Sequence, residues 1–110
     1  MKISVSKEPN YTLFELNGNL DLIASEIFEK NVEAIISEEA VNLLIDFTNV
    51  DFVNSAGLRG LFIASNKLKL TNGKLVIFSL QPQVNEIFII TGFNQALNVL
   101  DTKAEAIESI

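Results

Sequence analysis

The sequence predicts an α/β domain with a mixed, mostly parallel four- to five-stranded sheet, helices packed against it, and an N-terminal β-hairpin. Segments with the alternating pattern of strands are interspersed with segments that have the longer period of helices. Residues 41–47 are apolar apart from Asn42 and Asp46, which is typical of a central strand covered on both faces. Strands connected through helices favour a parallel sheet with right-handed crossovers.

The first part of the chain predicts a hairpin followed by a helix. Ile3 and Val5 alternate with serines, and Phe14 and Leu16 lie in a second extended run, so the two strands can pair around the turn between them. Asp21 lies just before the helix, where a short acidic side chain can cap free N–H groups. The predicted apolar face of this helix consists of Ala24, Ile27, Phe28, Val32, Ile35 and Ile36.

The second part predicts further alternation of helices and strands. Gly73 is expected to end the second helix in the left-handed conformation, and residues 74–80 form the next strand. Pro82 opens a third helix, where its missing N–H costs little, and Gly92 ends it. The apolar face of the second helix is expected to consist of Leu58, Leu61, Phe62 and Leu68. A short edge strand and a final short helix are expected at residues 96–100 and 103–110.

Composition excludes several classes of function. The net charge of −6 repels phosphate backbones, so direct binding to nucleic acid is not expected, whereas a basic protein partner would suit this surface. The absence of cysteine excludes disulfides and thiolate metal sites, and the absence of histidine removes the usual general base. The sequence shows neither a signal peptide nor the roughly 18 apolar residues of a membrane span. A cytoplasmic protein without membrane insertion is therefore expected.

The polar stretch Asn54-Ser55-Ala56-Gly57 separates the central strand from the second helix. Serine is a good N-cap, stabilising a helix by ~1 kcal/mol relative to alanine, so the spacing favours Ser55 as the cap, although Asn54 would serve equally. Alternatively, the serine hydroxyl is presented for another protein to modify or bind. Sites in open α/β sheets lie beyond the carboxyl ends of strands, and both Asp21 and this stretch follow such an end.

Enzymatic interpretations fit the sequence poorly. A nucleophilic serine needs a base, which the missing histidine does not provide, and the stretch is not a G-x-S-x-G elbow. The glycine spacing does not match a phosphate-binding loop. Asp21 and Asp46 could form a carboxylate pair or a weak magnesium site, but a helix cap and a strand-end hydrogen-bonding group are their commoner roles. We therefore expect no catalytic residue, metal or cofactor.

Three segments resemble STAS domains, and specifically the stand-alone bacterial anti-sigma factor antagonists. GNLD at residues 18–21 is similar to the family's Gly-x-Leu/Ile-Asp, and LIDF at residues 44–47 is similar to its buried third strand. FVNSAGL at residues 52–58 is similar to its Asp-Ser-Ser/Ala/Thr-Gly-Leu signature. The order and spacing agree from Ile3 to about Leu100, so the resemblance implies a single STAS domain over residues 1–110.

The resemblance also implies a function. In that family the anti-sigma factor is a serine kinase that phosphorylates the serine after the acidic residue, here Ser55, beside the loop aspartate, here Asp21. Asn54 stands where the family usually has aspartate, so the charge is missing although hydrogen bonding is retained. The unphosphorylated chain would sequester its anti-sigma factor and release a sigma factor, and a PP2C-type phosphatase would restore that state. The chain would be non-catalytic and monomeric when unbound. The implied partner-binding residues are Asp21, Asn54, Ser55, Ala56, Gly57 and Leu58.

Two other functions are compatible with the sequence. The chain could be an accessory STAS module of a signalling scaffold or a lipid-transport assembly, without phosphorylation. It could also bind a nucleotide or another small ligand near Asp21 and Ser55.

Overall fold

The computed structural model describes residues 1–37 and 39–110, and over these residues it forms one five-stranded sheet. The strands lie in chain order across the sheet, with β1 antiparallel to β2 and all other neighbours parallel. The predicted hairpin and the mixed, mostly parallel sheet are thus confirmed. The strands are β1 (Lys2–Lys7), β2 (Thr12–Asn17), β3 (Asn42–Asn49), β4 (Lys74–Phe78) and β5 (Asn98–Leu100).

The helices are α1 (Leu22–Ile35), α2 (Ser55–Lys69), α3 (Pro82–Thr91), α4 (Phe93–Ala96) and α5 (Lys103–Glu108). Pro82 opens α3 and Gly92 ends it with a φ of 78°, as expected. The single turn of α4 was not predicted. Because α4 occupies Phe93–Ala96, the edge strand begins at Asn98 and not at residue 96, and Leu97 between them is buried in the core. Over the described residues, no helix is long and apolar enough to cross a membrane.

The central strand carries side chains into both layers of the core, as its apolar run predicts. Leu43 and Ile45 pack towards α1, α2 and α3, whereas Leu44 packs towards α5 through Ala106. Two edge-to-face aromatic pairs, each with ring centroids 6.0 Å apart, attach helices to the sheet. These pairs are Phe14 with Phe28 of α1, and Phe47 with Phe88 of α3.

The structure corrects one expectation about backbone conformation, at Gly73, and two about burial, at Ile27 and Phe62. Gly73 does not adopt the left-handed conformation, because Asn72 takes that role with a φ of 62°. A side chain at Gly73 would instead overlap the carbonyl oxygen of Val41, so this glycine is required for close packing. Ile27 and Phe62, expected on the core faces of α1 and α2, are more than a third exposed because they lie at the margins of those faces.

Candidate functional site

The loops after β2 and β3 meet at the carboxyl edge of the sheet. Leu20 and Val53 form a parallel bridge, in which the Leu20 N–H donates to the carbonyl oxygen of Phe52 at 2.9 Å. The N–H of Asn54 donates back to the carbonyl oxygen of Leu20 at 3.3 Å. Asp21 and Asn54 directly follow the two bridged residues, so the starts of α1 and α2 lie side by side.

The two helices begin with the same capping geometry. Oδ1 of Asp21 accepts a hydrogen bond from the N–H of Ala24 at 2.9 Å, and Oδ1 of Asn54 accepts one from the N–H of Gly57 at 3.0 Å. The backbone φ angles of the two caps are −106° and −108°. The interpretation that favoured Ser55 as the cap is therefore wrong, because α2 has already begun at Ser55. Asparagine supplies the same capping oxygen as aspartate would.

Ser55 occupies the first helical position of α2, and its side chain is exposed. Because Asn54 performs the capping, the serine hydroxyl has no such task, and it forms no hydrogen bond with another described residue. The first N–H groups of a helix also lack partners within the helix. The hydroxyl is thus presented to solvent at the edge of the sheet, in a position fixed by the paired loops.

The remaining members of the expected binding set differ in burial. Ala56 is half-buried, whereas Gly57 is buried and Leu58 is only 1% exposed. The side chain of Leu58 therefore cannot contact a partner directly, and its place in the set is corrected to that of a core anchor for α2. Gly57 contributes by its lack of a side chain, since a Cβ there would overlap the carbonyl oxygen of Leu20.

A second set of contacts, which sequence analysis missed, holds the β3–α2 loop from its other side. The side-chain amide of Gln81 donates to the carbonyl oxygen of Thr48 at 2.9 Å and to the carboxylate of Asp51 at 3.0 Å. The amide of Gln83 donates to the carbonyl oxygen of Asp51 at 3.3 Å. No local pattern could have revealed these bonds, because they join residues about thirty positions apart along the chain.

Asp46 has the expected hydrogen-bonding role, although it lies within β3, which continues to Asn49. Its Oδ1 accepts hydrogen bonds from the N–H of Thr48, at 2.9 Å, and from the hydroxyl of the same residue. Asp21 acts as a helix cap, so both carboxylates have structural tasks. Among residues 1–37 and 39–110, no cluster of three or more carboxylate, histidine or cysteine side chains is suited to hold a metal ion.

Exposed apolar side chains lie at the start of α1 and in the loop before α2, at the same edge of the sheet as the serine, and were also missed from the sequence. Leu22 and Ile23, in the first turn of α1, are 59% and 70% exposed, and Phe52 in the neighbouring loop is 47% exposed. Apolar groups beside convergent polar ones are typical of a protein-binding surface. We call this surface the rim surface, and it comprises Asp21, Leu22, Ile23, Phe52, Asn54, Ser55 and Ala56.

Comparison with known proteins identifies the family. The family model described as STAS domain matches residues 2–106. The chain belongs to the STAS domain family. This STAS domain is 27% identical, over 106 residues, to BtrV of Bordetella bronchiseptica, which is named as an anti-sigma factor antagonist. The match covers 96% of this chain and 91% of the relative.

Solved structures confirm the fold of this STAS domain. It superposes on an anti-sigma factor antagonist of Mycobacterium paratuberculosis with a TM-score of 0.86 at 20% identity, covering 99% of this chain and 92% of that one. It also superposes on the Bacillus cell fate determinant SpoIIAA in its phosphorylated form, with a TM-score of 0.71 at 20% identity, covering 98% of each chain.

A shallow groove between α1 and α2 adjoins the rim surface of this STAS domain, with a volume of about 240 Å³. Its lining residues are Leu22, Ser25, Glu26 and Glu29 of α1 with Ala56, Arg59, Gly60 and Ile63 of α2. Further along, Lys67 of α2 bonds to Glu29 at 3.2 Å and to Glu33 at 3.3 Å. These hydrogen bonds raise the pKa of Lys67 above its ordinary value. The ion pairs therefore link the two helices that carry the rim surface.

Proposed function

We propose that this protein is a phosphorylation-switched anti-sigma factor antagonist. With Ser55 unmodified, the rim surface binds an anti-sigma factor that is also a serine kinase, and a sigma factor is thereby released for transcription. The observation that carries the proposal is the exposed hydroxyl of Ser55, which is free because Asn54 caps the helix. The names of BtrV and of the Mycobacterium paratuberculosis protein as anti-sigma factor antagonists support it.

In this proposal the partner supplies the chemistry. The kinase transfers the γ-phosphoryl group of ATP to the Oγ of Ser55, and the serine proton is released with ADP. A phosphatase of the PP2C type later hydrolyses the ester. The protein acts as a single cytoplasmic domain over residues 1–110, is a monomer when unbound, and has no catalytic role.

Phosphate at this position would affect the partner more than the fold. Phosphorylation adds about −1.5 to −2 charges, and the start of a helix stabilises an anion by roughly 0.3–1 kcal/mol. Repulsion from an acidic partner group at contact would reach ~4 kcal/mol at an effective dielectric near 20. Each ~1.4 kcal/mol lowers affinity tenfold, so the contact can switch off without a conformational change. The likeness to SpoIIAA in its phosphorylated form supports a fold that tolerates the modification.

The test is phosphorylation by the anti-sigma factor kinase of the same organism with Mg-ATP, followed by intact mass and by affinity measurement. We expect one phosphoryl group on the parent chain, none on Ser55→Ala, and one on the control Ser4→Ala, which removes an exposed hydroxyl from β1. Binding should be strong for the unmodified chain and at least tenfold weaker after phosphorylation. Equal affinity for the two forms would refute the switch.

An accessory module without phosphorylation is the second candidate, and Asn54 favours it. The family usually has a carboxylate at this position, whereas the amide here caps α2 without adding charge beside the serine. This candidate predicts that the kinase leaves Ser55 unmodified while the rim surface still binds a partner. The intact-mass measurement on the purified complex separates the two candidates.

A further inference from the structure

We propose that Arg59 is a phosphate-binding residue of this switch. When Ser55 carries a phosphate, the guanidinium of Arg59 forms an ion pair with it along the same face of α2. The inference rests on the proposed function for the origin of the phosphate. It adds a residue that recognises the modification within the chain itself, separately from any contact with the partner.

The spacing along α2 carries the proposal. Ser55 and Arg59 are four residues apart in a continuous helix, and both side chains are exposed. Side chains at this spacing are neighbours on a helix surface, with Cβ atoms roughly 5–6 Å apart. The planar guanidinium presents paired N–H donors that match two oxygens of a phosphate. Arg59 forms no ion pair with any residue in 1–37 or 39–110, so its charge is available.

The other basic side chains of α2 cannot take this role. Lys67 is bonded to Glu29 and Glu33 of α1. Lys69 lies in the last turn, about 21 Å from Ser55 along the axis at the helical rise of about 1.5 Å per residue. The segment Ser55–Lys69 contains no acidic residue, so nothing within α2 competes for Arg59.

Several acidic residues lie near Arg59 and position 55 on neighbouring elements, and Lys2 of β1, which pairs with Asn17, is a basic residue at the same edge of the sheet. Glu26 and Glu29 of α1 line the same groove as Arg59, and Glu29 is already bonded to Lys67. Asp21 caps α1 beside Asn54, and Asp51 lies in the loop before α2. A phosphate at position 55 would therefore have acidic residues nearby, and within α2 Arg59 is the basic residue that lies within about one helical turn of it. Glu26 is the competing acceptor for its guanidinium.

The pairing would extend the effect of phosphorylation along α2. In the unmodified chain Arg59 lines the groove opposite Glu26. If the Arg59 side chain turned towards position 55, its positive charge would leave the groove. The carboxylates of α1 that line the groove would then lose a neighbouring cation. The surface offered to a partner would then change both at the rim and in the groove.

The experiment uses the full chain with phosphoserine incorporated at position 55 during translation, and it follows the second ionisation of the phosphate by ³¹P NMR. Arg59→Gln should raise the midpoint of that titration by about 0.5 pH unit, a roughly threefold change in proton affinity. Arg59→Lys should restore part of the shift. Lys69→Gln removes the same charge from the far end of α2, and screening over that distance should leave the midpoint nearly unchanged.

Equal shifts in Arg59→Gln and Lys69→Gln would show an effect of net charge alone and would overturn the proposal, as would no shift in either. Glu26→Gln removes the competing acceptor, so it should lower the midpoint more in the parent chain than in Arg59→Gln, and equal lowering in the two backgrounds would count against the pair. Loss of helical circular dichroism in the phosphoserine chain would also count against it. The titration does not use the kinase. A midpoint shift in Arg59→Gln, together with no phosphorylation of Ser55 by the kinase, would therefore support the Arg59 site and reject the switch. Phosphorylation of Ser55 by the kinase, with no titration shift in Arg59→Gln, would support the switch and reject the Arg59 site.

Discussion

The carbonyl oxygen of Leu20 lies directly against Gly57, and there is no room between them for a side chain. Leu20 belongs to the loop before α1 and Gly57 to the first turn of α2, so this contact brings the starts of the two helices together. The same oxygen accepts a hydrogen bond from the N–H of Asn54. The position of Ser55 relative to Asp21 therefore depends on backbone packing.

Replacing Gly57 by alanine should separate the two loops. A methyl group would overlap the carbonyl oxygen of Leu20, and overpacking of this kind costs about 1–3 kcal/mol of unfolding free energy. Urea denaturation would measure the loss, and hydrogen exchange should show faster exchange of the Leu20 N–H, which bonds to Phe52. Ser55→Ala is the control, because it alters an exposed side chain and should change stability by less than ~0.5 kcal/mol. Unchanged stability in Gly57→Ala would contradict the packing argument.

Asn54→Ala should destabilise the protein by ~1 kcal/mol, because the N–H of Gly57 loses its capping oxygen. Asn54→Asp should retain the parent's stability or exceed it, since a carboxylate caps equally well and its charge is favourable at a helix start. Urea denaturation measures both variants. Under the proposed function, Asn54→Asp should also maintain or increase phosphorylation of Ser55. Loss of phosphorylation in Asn54→Asp would contradict the hypothesis that the negative charge usual in the family at this position favours the kinase reaction.

Gln81→Ala should loosen the β3–α2 loop, because the amide of Gln81 bonds to both Thr48 and Asp51. Hydrogen exchange should accelerate for residues 48–54, and unfolding free energy should fall by about 0.5–1.5 kcal/mol. Gln95→Ala is a matched control, since Gln95 is an exposed glutamine on α4 with no bond to this loop. Identical exchange in the two variants would show that the glutamine contacts do not order the loop.

Under the proposed function, Ile23→Ser should weaken partner binding without lowering the melting temperature, because its side chain is 70% exposed on the rim surface. Truncation of a hot-spot residue at the centre of an interface costs about 2 kcal/mol or more, which corresponds to more than tenfold in affinity. Titration calorimetry against the anti-sigma factor would measure the change. Ile90→Ser provides the control, as Ile90 is 76% exposed on α3 and lies outside the rim surface. Equal losses of affinity in the two variants would show that the partner does not bind specifically at the rim surface.

Lys67→Gln should lower the melting temperature at neutral pH, and the difference from the parent should vanish in strongly alkaline solution. The folded pKa of Lys67 is raised by its hydrogen bonds to Glu29 and Glu33. A raised folded pKa means that the ion pairs stabilise the protein below the ordinary lysine pKa and are lost as pH rises through the folded value. Lys69→Gln, which removes a lysine outside these ion pairs, should show no such pH dependence. A difference that persists in alkali would contradict the ion-pair origin.

Several features of this protein were determined by local sequence. The apolar run around Leu44 predicted a central strand because such a strand has no polar face. Asp21, Pro82 and Gly92 marked helix ends because each acts through its own side chain or its own backbone angles. The stretch around Ser55 was identified as a candidate site because polar residues interrupted the apolar pattern.

Tertiary structure alone decided the details that place the serine. Asn54 and Ser55 both carry a capping oxygen, and the choice between them depends on where α2 begins, which the bridge between Leu20 and Val53 constrains. Gly73 is needed for its approach to Val41 and not for its own backbone angle. Bonds such as that of Gln81 join residues that are distant in sequence. A neighbouring sequence window cannot encode such contacts, since they exist only after the whole chain has packed.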